Sequence, residues 1–258
     1  MPTVPAPPSP PQKISYCTTC KNRLWQLSDT LPDNLRRAEE AGDSEIVLVN
    51  YNSDDELDTW IRRFQHCIDR GILRYVHEQS EPFFHASKAK NLAHLAATGR
   101  YVVNLDADNF IGDTIPAWRA LWAEEPDLLI RGFSPNADGR LDPGNGSYGR
   151  IGLPRAHFDA LGGYDEQLLP MGCQDSDLVD RARAYGLHVV RVPQQVPFAI
   201  RNTDDEKVKH TGSPLSWLDM WHQNIERAQD NLRRGRLTVN HDRVPVKVLV
   251  NFTRWMTV

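Results

Sequence analysis

The centre of the predicted fold is the run Tyr101-Val102-Val103-Asn104-Leu105-Asp106-Ala107-Asp108-Asn109. Its apolar and β-branched first half predicts a strand, and two carboxylates separated by one residue follow where that strand ends. Because the backbone turns after a strand, Asp106 and Asp108 can converge on one cation. Ordinary solvated turns also contain such acids, so the motif by itself leaves a metal site and a plain turn both open.

The chain before this run alternates between predicted strands and helices. Strands are predicted at residues 14–18, 45–50, 73–76 and 101–105, and helices at residues 24–35, 57–64 and 85–97. We expect Pro32 to interrupt the first helix. Such alternation predicts a parallel α/β sheet with right-handed crossovers, whose ligands bind beyond the carboxyl ends of the strands. Asp106 and Asp108 would lie at that edge.

The second half of the chain is less regular. Helices are predicted at residues 115–122, 154–161, 174–185 and 213–234, and strands at residues 128–133 and 187–192. The turn-rich run at 136–146 is the best candidate for a mobile flap. Trp217 and Trp221, on the last helix, are expected to pack in the core in preference to stacking on a sugar.

The predicted domain organisation is simple. A disordered Pro-rich tail at 1–12 precedes a catalytic domain at 13–212, with a nucleotide-binding half (13–113) and an acceptor-binding half (114–212). The C-terminal helix and tail at 213–258 would pack on this domain.

Composition excludes several classes of protein. The net charge of −4 and the absence of a long basic run argue against a nucleic-acid partner. No window of 18 apolar residues is present, so no transmembrane segment is expected. The N-terminal run lacks the regions of a signal peptide, and a cytoplasmic location is the default expectation.

Cys17 and Cys20 have metal or redox spacing, but no second pair completes a zinc site, and we favour buried thiols in a reducing compartment.

A second acidic cluster lies far downstream. It reads Gly172-Cys173-Gln174-Asp175-Ser176-Asp177-Leu178 and follows the run Gly162-Gly163-Tyr164-Asp165-Glu166. Carboxylates in a first helical turn are favoured by the helix dipole, so simple capping would account for Asp175 alone. The run before it combines two glycines, an aromatic residue and two acids, and this combination favours a functional site.

These motifs together resemble the glycosyltransferases of the GT-A fold. Tyr101 to Asn109 is similar to the strand and Asp-x-Asp motif of the inverting, family-two-like members, and the downstream runs are similar to the galactosyltransferase-type C-terminal module. The resemblance covers residues 14–210. It implies an α/β fold with a single Rossmann-like nucleotide-sugar-binding domain, whose mostly parallel central sheet is flanked by helices.

The resemblance also implies roles for individual residues. Nucleotide contacts would come from Thr18, Thr19, Lys21, Asn22, Arg23, Asn50, Lys88, Asn91 and Asp106. Substrate contacts would come from Arg150, Gly163, Gln174 and Asp177. Metal ligands would be Asp106, Asp108 and, as the best match to a downstream histidine, His210. Asp175 matches the catalytic base. Gln174 and Ser176 depart from the family's acidic run, which leaves the transferred sugar open.

The implied reaction accounts for these residue types. A leaving nucleoside diphosphate gains negative charge, which a divalent cation held by carboxylates offsets. Oxygen ligands with one imidazole suit Mn²⁺ or Mg²⁺. The acceptor hydroxyl needs a base, and a single base opposite the leaving group implies inversion at the anomeric carbon.

The expected function is therefore metal-dependent transfer of a hexose or N-acetylhexosamine from a UDP-sugar to an acceptor hydroxyl. The alternatives are a sugar-nucleotide nucleotidyltransferase, whose glycine-rich signature is absent near the first strand, and a nucleotide-sugar-binding module without activity. The acceptor (saccharide, lipid, peptide or small metabolite) and the oligomeric state stay open.

Overall fold

A computed structural model of the chain describes residues 12–135, 148–193 and 199–258. Within these ranges one mixed sheet has the strand order β7-β5-β6-β4-β1-β2-β3-β8-β9. The strands are β1 (Ile14–Cys20), β2 (Ser44–Tyr51), β3 (Leu73–Glu78), β4 (Tyr101–Asn104), β5 (Leu129–Phe133), β6 (Ile151–Pro154), β7 (Val189–Pro193), β8 (Lys247–Val250) and β9 (Arg254–Thr257).

The centre of the sheet is parallel. β1 pairs with β2 and β4, and β2 pairs with β3, all in parallel register. β6 lies antiparallel between β4 and β5, and β7 is parallel to β5. The carboxyl ends of β1 to β4 therefore share one edge, which confirms the α/β fold class and places the Asp-x-Asp motif where the alternation predicted it.

Helices cover both faces of the sheet. They are α1 (Leu24–Ala41), α2 (Leu57–Trp60), α3 (Gln65–Asp69), α4 (Ala86–Ala96), α5 (Thr114–Glu124), α6 (Arg155–Ala160), α7 (Gln174–Tyr185), α8 (Asp204–Val208) and α9 (Trp217–Arg233), with a 3₁₀ turn at Ile61–Phe64. Pro32 lies inside α1 without ending it, so the expected interruption there was wrong. α9 begins later than predicted, at a cap in which Ser216 Oγ accepts from the Asp219 amide at 3.1 Å.

Strand alternation divides the core into two layers. Tyr16, Ile46 and Val103 face α1, whereas Cys17, Val47 and Val102 face α4. Cys17 and Cys20 are buried free thiols in opposite layers, as expected. Burial raises the pKa of both, for Cys20 to about 12, so neither thiol is activated at neutral pH.

Three strands were missed from the sequence. β6 contains Gly152 and ends in Pro154, two residues that weaken a strand signal. Gly152 is needed because a Cβ there would lie 2.4 Å from the Trp118 ring. β8 and β9 continue the sheet from β3, so residues 213–258 add strands to the sheet as well as packing a helix on it.

Two predictions fall outside the described residues: the flap at 136–146 and nearly all of the Pro-rich tail. Of the helices in the described ranges, none has the length and apolarity needed to span a membrane.

Candidate active site

A cavity of about 690 Å³ opens at the carboxyl edge of the central strands. Eight of the residues expected to be functional line it: Thr19, Lys21, Arg23, Asp106, Asp108, Gln174, Asp175 and His210. The cavity therefore brings together the turn after β1, the turn after β4 and the start of α7, which are far apart in the chain.

The two aspartates after β4 have different surroundings. Asp106 Oδ1 accepts a hydrogen bond from Asn104 Nδ2 at 3.1 Å and lies 3.4 Å from Lys90 Nζ. Burial alone would raise the pKa of Asp106, but Lys90 and Asn104 outweigh burial and lower it. Burial and repulsion by Asp106 raise the pKa of Asp108 to about 6. Asp108 is thus the carboxylate whose charge is less well compensated by the protein.

Lys90 connects the Asp-x-Asp motif to the predicted base. Its Nζ lies 2.8 Å from Asp175 Oδ1, in addition to its contact with Asp106. Burial would lower the pKa of Lys90, yet the two carboxylates raise it above its ordinary value, so the side chain is an ammonium. Sequence reasoning selected Lys88, which instead pairs with Glu81 at 2.9 Å and is 41% exposed. Lys90 shares the buried face of α4 with Ala89 and Ala93. A lysine among the apolar positions of a helix is the sequence signal that could have identified it.

Gly149 gives the two acidic groups room to approach each other. A Cβ at this position would lie 2.6 Å from Asp106 Oδ2 and 3.3 Å from Asp175 Oδ2. The Gly149 carbonyl also accepts from Asn104 Nδ2 at 2.8 Å. The backbone before β6 therefore passes directly against both carboxylates, and a side chain there would displace them.

Asn202 holds Asp108 from the opposite side. Its Nδ2 donates to Asp108 Oδ2 at 2.6 Å, while its Oδ1 accepts from Arg23 Nη1 at 3.0 Å and Gln26 Nε2 at 2.8 Å. The Ile200 amide also donates to the Asp108 carbonyl at 3.0 Å. No sequence motif indicated this segment.

The turn after β1 brings the positively charged side chains of Lys21 and Arg23 into the cavity. Lys21 Nζ donates to the carbonyls of Tyr51 (3.2 Å) and Asn52 (2.6 Å). Asn22 adopts a left-handed conformation, with φ of 55°, and its Nδ2 lies 3.4 Å from His210 Nδ1. Burial, followed by the charges of Lys209, Arg23 and Lys21, lowers the pKa of His210. A neutral imidazole is the form that ligates a metal.

The protein offers some, but not all, of the ligands that a divalent cation needs. Asp106 and Asp108 offer carboxylate oxygens, but within the described ranges no group of three or more His, Cys, Asp or Glu side chains is gathered closely enough to hold a metal. Mg²⁺-type ions in proteins commonly take one or two carboxylates and complete their shell with water and substrate phosphates. The residues present fit that arrangement.

Three further predicted residues stabilise the structure around the site. Asn91 Nδ2 donates to the Tyr164 carbonyl and its Oδ1 accepts from the Tyr164 amide, both at 2.8 Å. A Cβ at Gly163 would lie 2.4 Å from Asn91 Oδ1, which explains the paired glycines. Asp177 forms a fully buried ion pair with Arg181 at 2.8 Å. None of the three lines the cavity.

Thr18, Asn50 and Arg150 are buried and are not among the residues that line the cavity. Thr18 is buried in β1, and Asn50 Nδ2 donates to the Tyr75 hydroxyl at 2.9 Å. Arg150 is buried and donates to Ser134 Oγ at 2.9 Å. Burial lowers the pKa of Arg150 to about 10, opposed by the charges of Asp106 and Asp108. Arg150 thus adds positive potential near the acids without being among the residues that line the cavity.

Trp217 and Trp221 do not pack in the core as expected. Both are half-buried and line the cavity. Their rings stack on each other with centroids 6.2 Å apart and an interplanar angle of 24°.

Comparison with known proteins identifies the class. The sequence profile of glycosyl transferase family 2 matches residues 15–130, and the profile described as the N-terminal domain of galactosyltransferase matches residues 145–205. Together the two profiles span more than half of the chain. The chain belongs to the glycosyltransferases, with the GT-A fold. No curated protein matches the sequence.

Solved structures share this fold at low identity. TarS from S. aureus (residues 1–349, with UDP-GlcNAc) has a TM-score of 0.61 at 15% identity, over 81% of this chain and 64% of that one. GalNAc-T7 with UDP, GalNAc and Mn²⁺ scores 0.64 at 16% identity, over 86% of this chain and 48% of that one. The mannosyltransferase PcManGT from Pyrobaculum calidifontis, with GDP-Man and Mn²⁺, scores 0.56 at 19% identity, over 70% and 55%. The chain thus spans about half to two thirds of these three proteins.

Proposed function

We propose that the chain is a metal-dependent, inverting glycosyltransferase that moves a hexose or N-acetylhexosamine from a UDP-sugar to an acceptor hydroxyl. The observation that carries this proposal is the bridge formed by Lys90, which lies 3.4 Å from Asp106 and 2.8 Å from Asp175. It joins the predicted metal-binding motif to the predicted base in one cavity.

The donor side of the cavity suits a nucleoside diphosphate. Lys21 and Arg23 supply positive charge, and the volume of about 690 Å³ lies within the usual range of ligand sites. UDP is the nucleotide in the TarS and GalNAc-T7 complexes, which supports a uridine donor here.

Asp108 is the principal candidate to hold a cation, with Asp106 two residues before it, while His210 lines the same cavity without joining the two aspartates in a three-residue cluster. The incompletely compensated charge of Asp108 would be stabilised by Mn²⁺ or Mg²⁺, and Asn202 keeps the carboxylate oriented. When bound, such a cation acts as a Lewis acid that offsets the charge of the departing diphosphate.

Asp175 is the candidate general base. Its carboxylate would take the proton of the acceptor hydroxyl as that oxygen attacks the anomeric carbon, while Lys90 fixes the orientation of the carboxylate. One base acting in a single displacement inverts the anomeric configuration. A nucleotidyltransferase is not what either matching profile describes.

The test is a screen of nucleotide sugars by thermal shift. UDP-glucose, UDP-galactose, their N-acetylated forms and GDP-mannose are compared with and without Mn²⁺, because a ligand of the native state raises its melting temperature. We expect stabilisation by UDP-sugars that depends on Mn²⁺ and is lost in Asp108→Asn. NMR of the product should then show an inverted anomeric centre.

Three results would contradict the proposal. Stabilisation by GDP-mannose alone would exclude the uridine donor. Equal stabilisation without metal, or in Asp108→Asn, would exclude the metal assignment. Retention of configuration would exclude a single displacement.

A further inference from the structure

Two tryptophans outside both matching profiles form part of the cavity wall. Trp217 and Trp221 follow residue 205, where the second profile ends, so the family match assigns them no role. They are one helical turn apart on α9, and their stacked rings line the same cavity as Asp175. A paired aromatic surface in the same cavity as the predicted base is a candidate binding surface for a ligand.

The tryptophans are held rigidly relative to Asp175. Asn224, on the next turn of α9, donates from Nδ2 to the carbonyls of Leu169 (3.2 Å), Met171 (3.2 Å) and Gly172 (2.7 Å). Its Oδ1 accepts from the Leu169 amide at 2.6 Å. These bonds fix α9 to the segment that leads directly into the first turn of α7.

Contact between Trp221 and Gly172 makes this attachment tight. Gly172 has φ of +93°, and a Cβ there would lie 3.1 Å from both Cα and Cβ of Trp221. A left-handed glycine is therefore required for the backbone to pass against the tryptophan. Trp221 and the base three residues beyond Gly172 have a defined relative position, as a specific subsite requires.

The groups around the rings indicate the kind of ligand. Apolar surface comes from Trp217, Trp221 and Met171, whereas Gln174 and Ser176 place polar groups on the same cavity. Lys207 Nζ lies 4.6 Å from the Trp217 ring centroid and 2.8 Å from Asp204 Oδ1, so its charge is partly balanced. A sugar ring has one apolar C–H face and a rim of hydroxyls, which matches this combination. Gln174 Nε2 and Ser176 Oγ already donate to the carbonyls of Leu169 (3.0 Å) and Cys173 (3.1 Å), so their oxygens offer acceptors to sugar hydroxyls, and an alkyl chain has no donor for them.

We infer that Trp217 and Trp221 form an acceptor subsite that stacks on a sugar ring, so that the acceptor is a saccharide. This inference rests on the proposed transfer reaction and narrows its acceptor class. Trp217→Ala removes half of the surface, and Trp221→Phe keeps an aromatic ring in the more constrained position. The matched control is Trp255→Ala, because Trp255 is 52% exposed on β9 with Lys247 Nζ 5.2 Å from its ring, outside the cavity lining.

The experiment separates donor from acceptor functions. Binding of the UDP-sugar with Mn²⁺ is measured by calorimetry, and its slow hydrolysis is measured without acceptor. Steady-state transfer is then measured to di- and trisaccharides of glucose, galactose, mannose and N-acetylglucosamine, to a Ser/Thr peptide and to an alkyl alcohol.

We expect transfer to at least one saccharide. Trp217→Ala should raise the acceptor KM about tenfold or more, as removal of a central tryptophan contact commonly does. Donor affinity and donor hydrolysis should stay unchanged. Trp221→Phe should retain a KM closer to that of the wild type, and Trp255→Ala should equal it.

Other outcomes overturn the inference. With donor binding intact, transfer only to the peptide or the alkyl alcohol would contradict it, as would an unchanged acceptor KM in Trp217→Ala. Loss of donor affinity in Trp217→Ala would place the rings against the nucleotide instead. Absence of metal-dependent donor binding in the wild type would be a failure of the proposed function, which this design distinguishes.

Discussion

Lys90 contacts both acidic groups of the candidate site, Asp106 and Asp175. Its ammonium lies between two carboxylates that would otherwise repel each other at close range. Lys88 is exposed like an ordinary surface lysine, whereas the side chain of Lys90 is only 9% exposed. Removal of its charge should therefore affect both stability and transfer.

We predict that Lys90→Met lowers the free energy of unfolding by about 1–3 kcal/mol at pH 7, because two partly buried carboxylates lose their counter-charge. Urea denaturation measures the change. Lys88→Met serves as the control and should cost less than about 0.5 kcal/mol, since its pair with Glu81 is exposed. Equal effects of the two substitutions would show that the buried contacts of Lys90 contribute nothing.

Asp175→Asn should leave the fold and donor binding intact and reduce transfer about 10²-fold or more, because an amide cannot accept the acceptor proton. Steady-state kinetics with the best donor measure this. Asp180→Asn, on the same helix and 49% exposed in its pair with Arg183, is the matched control and should transfer at the wild-type rate. Near-normal turnover in Asp175→Asn would remove Asp175 as the base.

At the scale of elements, the turns that follow or precede strands assemble the site. The segment before β6 contributes no reacting group, yet its glycine decides how close Asp106 and Asp175 can come. The start of β2 is joined to the start of β1 by a buried carboxylate, Glu45, which is not among the residues that line the cavity. We therefore expect a substitution of Gly149 to affect transfer more than stability, and a substitution of Glu45 to affect stability.

Gly149→Ala should impair transfer about tenfold or more with little loss of stability. The added methyl would displace Asp106 Oδ2, which lies 2.6 Å from the ideal Cβ position, and catalytic geometry tolerates such shifts poorly. Gly71→Ala is the contrasting variant: it has φ of +72° and open space around it, so it should lower the melting temperature without changing kinetics. The same kinetics for Gly149→Ala and wild type would show that the carboxylates can move apart freely.

Glu45 should make stability depend on pH. Burial would raise its pKa, but hydrogen bonds from Ser15 Oγ (2.6 Å), Lys13 Nζ (2.9 Å) and the Thr98 amide (2.7 Å) outweigh burial and lower it. A lowered folded-state pKa means that the stabilisation is complete above the ordinary value of about 4.3 and is lost as pH falls through the lowered value.

Glu45→Gln is therefore expected to cost about 1–3 kcal/mol at pH 7. The difference from wild type should shrink as the pH falls below about 4. Urea denaturation at several pH values measures it, with the exposed Glu56→Gln as the control. A constant difference across this pH range would show that ionisation of Glu45 is not what stabilises the fold.

At the scale of the whole molecule, one buried ion pair joins segments from distant parts of the chain. Arg181 pairs with Asp177 and donates to the carbonyls of Leu161 (3.2 Å), Gly163 (2.7 Å) and Leu237 (3.3 Å). It therefore ties α7 to the paired-glycine turn and to the segment after α9. Asp177, expected from the resemblance to contact substrate, is placed to stabilise this junction.

Asp177→Ala should destabilise the protein by about 3–5 kcal/mol, because it leaves the buried guanidinium without a counter-charge. The double variant Asp177→Leu with Arg181→Met should recover only part of that loss, because it removes the unpaired charge but also the hydrogen bonds that Arg181 donates to three backbone carbonyls. Thermal and urea unfolding test both. A milder effect of Asp177→Ala than of the double variant would argue against the ion pair as the source of stability.

Much of this molecule follows from local pattern. Continuous apolar runs at β2 and β4, and helical spacing in α4, predicted the central parallel sheet and the edge at which Asp106 and Asp108 lie. The resemblance to a known family, and not periodicity, assigned Asp175 to the same site. β6 was missed because Gly152 and Pro154 are poor strand residues, tolerated there by the packing of Trp118. The site residues were found where a motif carried them, and were missed where only packing did.

Hydrophobic periodicity and strand-end carboxylates are local properties, and they were enough to predict the alternation of β1 to β4 with helices and the place of Asp106 and Asp108 after β4. Which side chains complete the site depends on contacts between segments that are distant in the chain. Lys90 and Asp175 are 85 residues apart, and Asn202 and Asp108 are 94 residues apart. Such contacts depend on how the layers pack, and the same packing placed Trp217 and Trp221 in the cavity wall, because a helix pattern specifies an apolar face without specifying what that face meets.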